Sequence, residues 1–228
     1  MSDPSFSEVE ACVFDAYGTL FDVHSAAARV KDDLGEKADA LSDMWRFKQL
    51  QYTWLRSLMG RHEDFWQVTG YALDYSMRAL DMENDSLRAK LMEHYLQLDA
   101  YPEVIDVLTR LKDAGKKTAI LSNGEPSMLI AAAKSANIYS LLDGVFSIEK
   151  VGIFKPHPST YQIAVDELKI AADNISFQSS NGWDAHGAAA FGFVVVWVNR
   201  FDQPQENLPA APHAEIKTLS DLPRLLSL

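Results

Sequence analysis

The chain has 228 residues, of which 47% are hydrophobic and 23% are charged, a composition typical of a globular protein with a sizeable core. Its formal net charge of −11 disfavours nucleic acid and anionic membranes as partners, and an anionic ligand would need local cations. The one cysteine, Cys12, excludes an intrachain disulfide and lies in an apolar run, which favours a buried inert thiol. We see no targeting segment and no run long enough to span a bilayer, so we expect a cytoplasmic protein.

Short apolar runs alternate with helical patterns, and this alternation predicts a parallel sheet covered on both faces. The predicted strands are Val9 to Phe14, Thr118 to Leu121, Ile175 to Phe177 and Phe193 to Val198. The predicted helices of this part are Glu103 to Ala114, Pro126 to Ala136, Pro158 to Leu168 and Trp183 to Phe191. The polar, proline-containing segment Gln203 to Pro212 is predicted to be a surface loop.

The stretch from about Ser25 to Leu98 has no strand-like run and no proline, and its apolar residues recur at helical spacing. We therefore predict an inserted helical cap over the edge of the sheet. The expected fold is α/β, a Rossmann-like parallel sheet core with an inserted helical cap subdomain. Residues 1–21 and 99–228 are predicted to form the core, and residues 22–98 the cap.

Polar clusters follow the predicted strands, at the end of a parallel sheet where ligands bind. They are Asp15 to Thr19, Ser122-Asn123-Gly124, Lys155-Pro156 and Ser179 to Asp184. Alone, an Asp after a strand is often a helix cap and Ser-Asn-Gly is often a turn. Four such clusters in order favour a functional site.

The segment Phe14-Asp15-Ala16-Tyr17-Gly18-Thr19-Leu20-Phe21-Asp22 resembles the first motif of the haloacid dehalogenase superfamily, and the other clusters match its later motifs in order. The chain is closely similar to the type II L-2-haloacid dehalogenases of that superfamily. This similarity extends to Trp45-Arg46, to residues 51–59, and to Ser179-Ser180-Asn181 followed by Trp183-Asp184.

Two of the motifs, the first and the fourth, distinguish this branch from the superfamily's phosphatases. Those enzymes carry a second Asp as general acid two residues after the nucleophile, where this chain has Tyr17. Their acidic fourth motif holds Mg²⁺, whereas this chain has Ser179 and Asn181 and keeps only Asp184 as a carboxylate. Halide leaves without a proton, so these residues favour dehalogenation, and we expect neither a metal nor another cofactor.

The resemblance implies that Asp15 attacks C2 of a small L-2-haloalkanoic acid and displaces halide with inversion. Water then hydrolyses the ester and releases the D-2-hydroxy acid. Lys155 should keep Asp15 ionised, and Thr19 should orient its carboxylate. The alternative for Lys155 is a solvated surface lysine, and the alternative for Thr19 is a plain turn hydroxyl.

The resemblance also implies how the substrate is bound. Ser122 and the amides of Asn123, Ala16 and Tyr17 should hold the substrate carboxylate. Arg46 should receive the halide, unless it is an ordinary surface arginine. Ser179, Asn181 and Asp184 should position Lys155 and the hydrolytic water. An apolar wall is expected from Tyr17, Leu50, Phe65, Tyr161 and Trp183. For Leu50 and Phe65, simple core packing is an equally good interpretation.

Two other functions stay open, a Mg²⁺-dependent phosphatase and a non-catalytic binding protein on the same scaffold. His186 could help to activate water, although a helix-surface histidine is the favoured interpretation. Gln178 is unusual in a strand that should be apolar. Relatives are often homodimers, and the helix from Leu41 to Leu58 could supply the interface.

Overall fold

The computed structural model describes residues 6–228, and within them a six-stranded parallel sheet has the order β3-β2-β1-β4-β5-β6. The predicted α/β fold is confirmed, and each predicted strand corresponds to an observed one. Two strands, β3 and β6, were not predicted. The strands are β1 (Ala11–Phe14), β2 (Lys117–Ser122), β3 (Gly144–Ser147), β4 (Ile175–Ser179), β5 (Val194–Val198) and β6 (Ala214–Ile216).

The central strands are buried on both faces, which explains why they read as continuous apolar runs. Alternate residues of β1 point to opposite sides of the sheet. Cys12 and Phe14 belong to the core that includes the inserted helices, whereas Ala11 and Val13 belong to a separate core on the other face.

Helices follow the strands as the sequence predicts, and no predicted bound differs from the observed one by more than one residue. α8 has the predicted bounds, and α9 begins one residue earlier than predicted. The helices of this part are α6 (Val104–Asp113), α7 (Pro126–Ser135), α8 (Pro158–Leu168), α9 (Gly182–Phe191) and α10 (Leu222–Leu225).

The segment between β1 and α6 is helical, as expected. The long helix α3 ends at Gly60, which adopts the left-handed conformation (φ 61°) that commonly terminates helices. The Asp64 side chain accepts a hydrogen bond from Gln67 N and so caps α4. The helices are α1 (Ser25–Ala28), α2 (Lys31–Leu34), α3 (Ala38–Met59), α4 (Phe65–Ala79) and α5 (Asp85–Tyr95).

The insertion leaves and rejoins the sheet at one place, the carboxyl end of β1. Asp22 N donates to Asp99 O at 2.8 Å, and Tyr101 N donates to Leu20 O at 3.0 Å. These paired linkers lie next to the predicted boundaries at residues 22 and 98. The division into core and cap remains a prediction.

The direction of winding reverses at β1, because β2 lies on one side of it and β4 on the other. Such a switch point opens a crevice at the carboxyl ends of the strands, where Asp15 follows β1. No helix in residues 6–228 is long and apolar enough to cross a membrane.

Candidate active site

Residues from three of the four polar clusters donate hydrogen bonds to the Asp15 carboxylate. Asp15 is 6% exposed, and its backbone amide donates to Gln178 O of the neighbouring strand. Its Oδ2 accepts hydrogen bonds from Thr19 Oγ1 at 3.1 Å and Asn181 Nδ2 at 2.9 Å. Its Oδ1 accepts one from Lys155 Nζ at 3.1 Å. Donors from separate parts of the chain therefore orient both oxygens of this carboxylate.

Lys155 bridges two carboxylates inside the protein. Its side chain is 1% exposed, and its Nζ also donates to Asp184 Oδ2 at 2.9 Å. Burial lowers the pKa of this ammonium, but the charges of Asp15 and Asp184 outweigh it and raise the pKa above its usual value. Lys155 is therefore a fixed buried cation, and the alternative of a solvated surface lysine is wrong.

Asp184 is held by neutral donors as well as by Lys155. Ser179 Oγ donates to its Oδ2 at 3.0 Å, and the Tyr161 hydroxyl donates to its Oδ1 at 2.7 Å. Burial, followed by the charge of Asp184, raises the Tyr161 pKa well above its usual value. Tyr161 therefore acts as a neutral hydrogen-bond donor to this carboxylate.

The prediction that Tyr161 forms part of the apolar substrate wall needs correction. Its ring is fully buried and packs 5.8 Å from the Phe177 ring and 6.0 Å from the Phe193 ring. This position belongs to the core behind the site. The sequence motif gave no indication of which face of α8 carries the residue.

The turn after β1 positions Thr19. Its Oγ1 accepts a hydrogen bond from Ser180 N at 2.8 Å while it donates to Asp15. Gly18 has φ 92°, and a Cβ there would lie 3.0 Å from Ser180 Oγ, so a side chain would be strained in this turn. Thr19 thus links the first and fourth clusters, which fits the orienting role predicted for it better than that of a plain turn hydroxyl.

Arg46 reaches the site from α3. Its Nη2 donates to Tyr17 O and to Asn181 Oδ1, each at 3.2 Å. Since Asn181 also donates to Asp15, the inserted helices contact a hydrogen-bond partner of Asp15. This geometry contradicts the alternative of an ordinary surface arginine.

Gln49 holds Arg46 in place, and the sequence analysis did not identify it. Its Oε1 accepts from Arg46 Nη1 at 2.8 Å, and its Nε2 donates to Thr69 Oγ1 and Tyr95 Oη. The side chain is 1% exposed. Its spacing of three residues from Arg46, on the same face of α3, was the one signal that could have revealed it.

The second cluster lies beside the first. Ser122 is buried and its Oγ accepts a hydrogen bond from Gly124 N at 3.1 Å, while Asn123 Oδ1 accepts one from Lys155 N at 2.9 Å. A Cβ on Gly124 would lie 2.8 Å from the Tyr17 ring. The predicted carboxylate cradle (Ser122, Asn123, Ala16 and Tyr17) therefore lies where the turns after β1 and β2 meet, and its binding role remains a prediction.

Tyr17 packs in an aromatic cluster. Its ring centroid lies 5.4 Å from that of Phe65 and 5.5 Å from that of Tyr95. Burial, then the neighbouring Tyr95 and Asp15, raise the Tyr17 pKa well above its usual value. A phenol held neutral in this way is a poor proton donor to a leaving alkoxide.

A cleft of about 450 Å³ opens above these residues. Leu50 and Trp183 line it, as predicted for an apolar wall, whereas the predicted wall residue Phe65 is buried beneath it in the aromatic cluster. The loop after β5 also contributes side chains, which the sequence analysis did not anticipate. The cleft is lined by Gly18, Val23, His24, Arg46, Phe47, Leu50, Ser180, Asn181, Gly182, Trp183, Phe201, Gln203 and Glu206.

His186 lies in different surroundings from those predicted, and Gln178 is a polar residue in a fully buried strand, as the sequence indicates. His186 is 7% exposed, and its Nδ1 donates to Pro209 O at 3.2 Å, so it anchors a loop and is not a helix-surface residue. Gln178 is fully buried and its Nε2 donates to Ser176 Oγ at 2.6 Å. Its Oε1 is buried without a hydrogen-bond partner.

The donor set does not fit the Mg²⁺ that the superfamily's phosphatases hold. Asp15 and Asp184 are the carboxylates of this cluster, and the Lys155 ammonium lies between them. A hard divalent cation needs several oxygen ligands and would meet this fixed positive charge. In residues 6–228, no group of three or more His, Cys, Asp or Glu side chains is arranged to hold a metal.

Comparisons with known proteins extend over nearly the whole chain. A model of the haloacid dehalogenase-like hydrolases matches residues 9–192. The chain is 45% identical over 219 residues to (S)-2-haloacid dehalogenase 1 of Pseudomonas sp. strain CBS-3, with 96% of each protein covered. It is 44% identical over 220 residues to (S)-2-haloacid dehalogenase 4A of Burkholderia cepacia, with coverage of 96% and 95%.

A solved structure agrees with these sequence matches. L-2-haloacid dehalogenase from Xanthobacter autotrophicus with chloropropionic acid covalently bound superposes with a TM-score of 0.90 at 37% identity. The superposition covers 96% of this chain and 98% of that one. The similarity therefore includes both the sheet and the inserted helices.

Proposed function

Because the chain belongs to the haloacid dehalogenase-like hydrolases, we propose that it removes halide from small L-2-haloalkanoic acids through a covalent ester at Asp15. It is a hydrolase of carbon–halide bonds, in the class of the (S)-2-haloacid dehalogenases. The observation that carries the covalent route is the Asp15 carboxylate, fixed by Thr19, Asn181 and the buried Lys155.

In the first step, a carboxylate oxygen of Asp15 attacks C2 and the carbon–halogen bond breaks. The halide leaves with the bonding electron pair, and no proton is needed. Arg46 lines the cleft, and no carboxylate within residues 6–228 forms an ion pair with it, in contrast to Lys155. It is therefore suited to receive the halide.

In the second step, water attacks the carbonyl carbon of the Asp15 ester. The acyl–oxygen bond breaks, one water proton passes to the leaving alkoxide, and the other goes to solvent. Asp15 is regenerated as a carboxylate, and the product is the 2-hydroxy acid. Lys155 stabilises the developing negative charge, and Asp184 holds that lysine in place.

Inversion at C2 follows from in-line displacement. With the substrate carboxylate near Ser122 and the halide near Arg46, one enantiomer presents its carbon–halogen bond backside to Asp15. We infer that this is the L enantiomer and that the product is the D-2-hydroxy acid. The relatives, which are (S)-2-haloacid dehalogenases, support this choice.

Racemic 2-chloropropionate in excess EDTA tests the proposal. Chiral chromatography should show that half of the substrate is consumed and that D-lactate is the product. Asp15→Asn should abolish turnover because an amide cannot attack C2, whereas Asp43→Asn on the exposed face of α3 should leave it unchanged. Loss of chloride release in EDTA with recovery in Mg²⁺, or equal consumption of both enantiomers, would overturn the proposal.

We also propose that the enzyme is a homodimer. Several large apolar residues are exposed on α3 and α4, and three of them, Leu55, Met59 and Tyr71, line a surface pocket of about 400 Å³, which supports an interface there. These residues are Phe47, Leu55, Leu58, Met59, Tyr71 and Tyr75. Light scattering should give a dimer mass for the native chain and a monomer mass for Leu58→Glu. A native monomer would refute this assembly.

A further inference from the structure

The loop between β5 and β6 is anchored to the core near both of its ends. Asn199 Nδ2 donates to Gln203 O at 2.9 Å, and Gln203 N donates back to Asn199 Oδ1 at 2.8 Å. Further along, Pro209 O accepts the hydrogen bond from His186. The loop is therefore held in a defined position although most of its side chains are exposed.

This loop meets the inserted helices across the mouth of the cleft. The Phe201 ring stands edge-on to the His24 ring, with centroids 6.4 Å apart. His24 is in turn hydrogen bonded to Ser42 of α3 at 2.7 Å. A ligand that enters the cleft thus passes between the helical insertion and the loop.

Glu206 places a carboxylate at this mouth. A Cβ on Gly182 would lie 2.9 Å from Glu206 Cγ and 3.6 Å from its Oε1, so the side chain lies against the first residue of α9. Glu206 lines the same cleft as Arg46 and Asn181. Among the described residues it has neither a hydrogen-bond partner nor an ion-pair partner, so its negative charge is not neutralised by a neighbouring side chain.

We propose that Glu206 is a specificity-determining residue that selects haloacids with one negative charge against those with two, such as 2-halodicarboxylates. The inference rests on the proposed function, because it concerns the substrate of the same cleft. A haloacid brings one carboxylate into the cleft that Glu206 and Arg46 both line. A second substrate carboxylate has no further unpaired cation in the cleft and meets the Glu206 charge.

The expected size of the effect follows from the exposure of Glu206. Two unit charges separated by several ångströms in a largely aqueous medium interact weakly, and salt screens them over about 8 Å at physiological ionic strength. We therefore expect Glu206 to contribute about three-fold to the preference for the monoanion at low salt.

The experiment measures kcat/KM for L-2-chloropropionate and L-2-chlorosuccinate with the native enzyme and Glu206→Gln, which is nearly isosteric. At an ionic strength of about 20 mM, Glu206→Gln should lower the ratio of monoanion to dianion kcat/KM about three-fold, and at about 500 mM the difference should vanish. The matched control is Asp202→Asn. It removes the same charge from the same loop, but Asp202 pairs with Lys217 and does not line the cleft. Its ratio should equal that of the native enzyme.

A ratio unchanged in Glu206→Gln, or changed equally in Asp202→Asn, would overturn the inference. If the ratio in Glu206→Gln still differs from the native ratio at high salt, the shape of the side chain and not its charge is responsible, and the inference is wrong. If the native enzyme does not turn over chlorosuccinate, the inhibition constants of propionate and succinate supply the same ratio. Glu206→Asp keeps the charge and should keep the native ratio. A native enzyme that releases no chloride from 2-chloropropionate would refute the proposed function instead.

Discussion

Replacement of Lys155 by Met tests the charge balance at the centre of the site. The ammonium is 1% exposed and lies 3.1 Å from Asp15 Oδ1 and 2.9 Å from Asp184 Oδ2. Its removal leaves two buried carboxylates without their counter-ion. Breaking a buried pair in this way typically destabilises a protein by about 3–5 kcal/mol, so we expect a loss of this size in the free energy of unfolding at pH 7.

The loss should depend on pH. Without Lys155, the pKa of one carboxylate in the folded variant rises above its unfolded value of about 3.9. Such a group contributes stability that is present at low pH and lost as the pH rises through the folded pKa. From pH 7 to pH 5 the variant should therefore regain roughly 1–3 kcal/mol relative to the native protein, at about 1.4 kcal/mol per pH unit at most.

Urea unfolding followed by circular dichroism at pH 5 and pH 7 measures both effects. Lys155→Met/Asp184→Asn removes one carboxylate as well and should recover part of the stability at pH 7. Lys217→Met is the control, because its ion pair is exposed, and it should leave the free energy of unfolding nearly unchanged at both pH values. A pH-independent loss in Lys155→Met, or no recovery in the double variant, would refute the reasoning.

Further predictions concern groups around the site. Gln178→Met combined with Ser176→Ala removes a buried amide oxygen without a partner together with the hydroxyl that the amide contacts, and should raise the free energy of unfolding by about 1–2 kcal/mol, measured in urea. A loss would count against this interpretation. Gln49→Leu frees Arg46 and should slow the pre-steady-state halide burst about ten-fold with little change in KM, and an unchanged burst would contradict it. Burial raises the Cys12 pKa to about 12, whereas in the unfolded chain a thiol has its ordinary pKa of about 8.5. The free energy of unfolding should therefore fall as the pH rises above about 8.5, and a thiol reagent should label Cys12 only as the protein unfolds. Labelling of Cys12 in the folded protein would oppose this.

The sequence allowed the site to be predicted wherever topology decides the outcome. The carboxyl ends of adjacent parallel strands meet at one edge, so clusters after β1, β2 and β4 had to converge. Asn181, after β4, contacts Asp15, after β1, for this reason, whereas Lys155 lies between β3 and α8 and was identified by its motif. The strands β1 and β5 were predictable because both of their faces are buried.

Features that depend on tertiary packing were missed. The strand β3 is only partly buried along most of its length, and β6 has three residues, so neither gives a long apolar run. Gln49 and Glu206 acquire their roles from contacts between the insertion, the loop and the core. Tyr161 was assigned to the substrate wall from its motif, but the orientation of α8 directs it into the core.

The covalent route through Asp15 is tested most directly by a single turnover in ¹⁸O water with enzyme in excess over L-2-chloropropionate. If water attacks the ester at the carboxyl carbon of Asp15, the label enters the enzyme, and mass spectrometry should find it in the peptide that contains Asp15. The lactate of this first turnover should be unlabelled, because its new oxygen comes from Asp15. Label in the lactate with none in the peptide would mean that water attacks C2 directly, and would contradict the account.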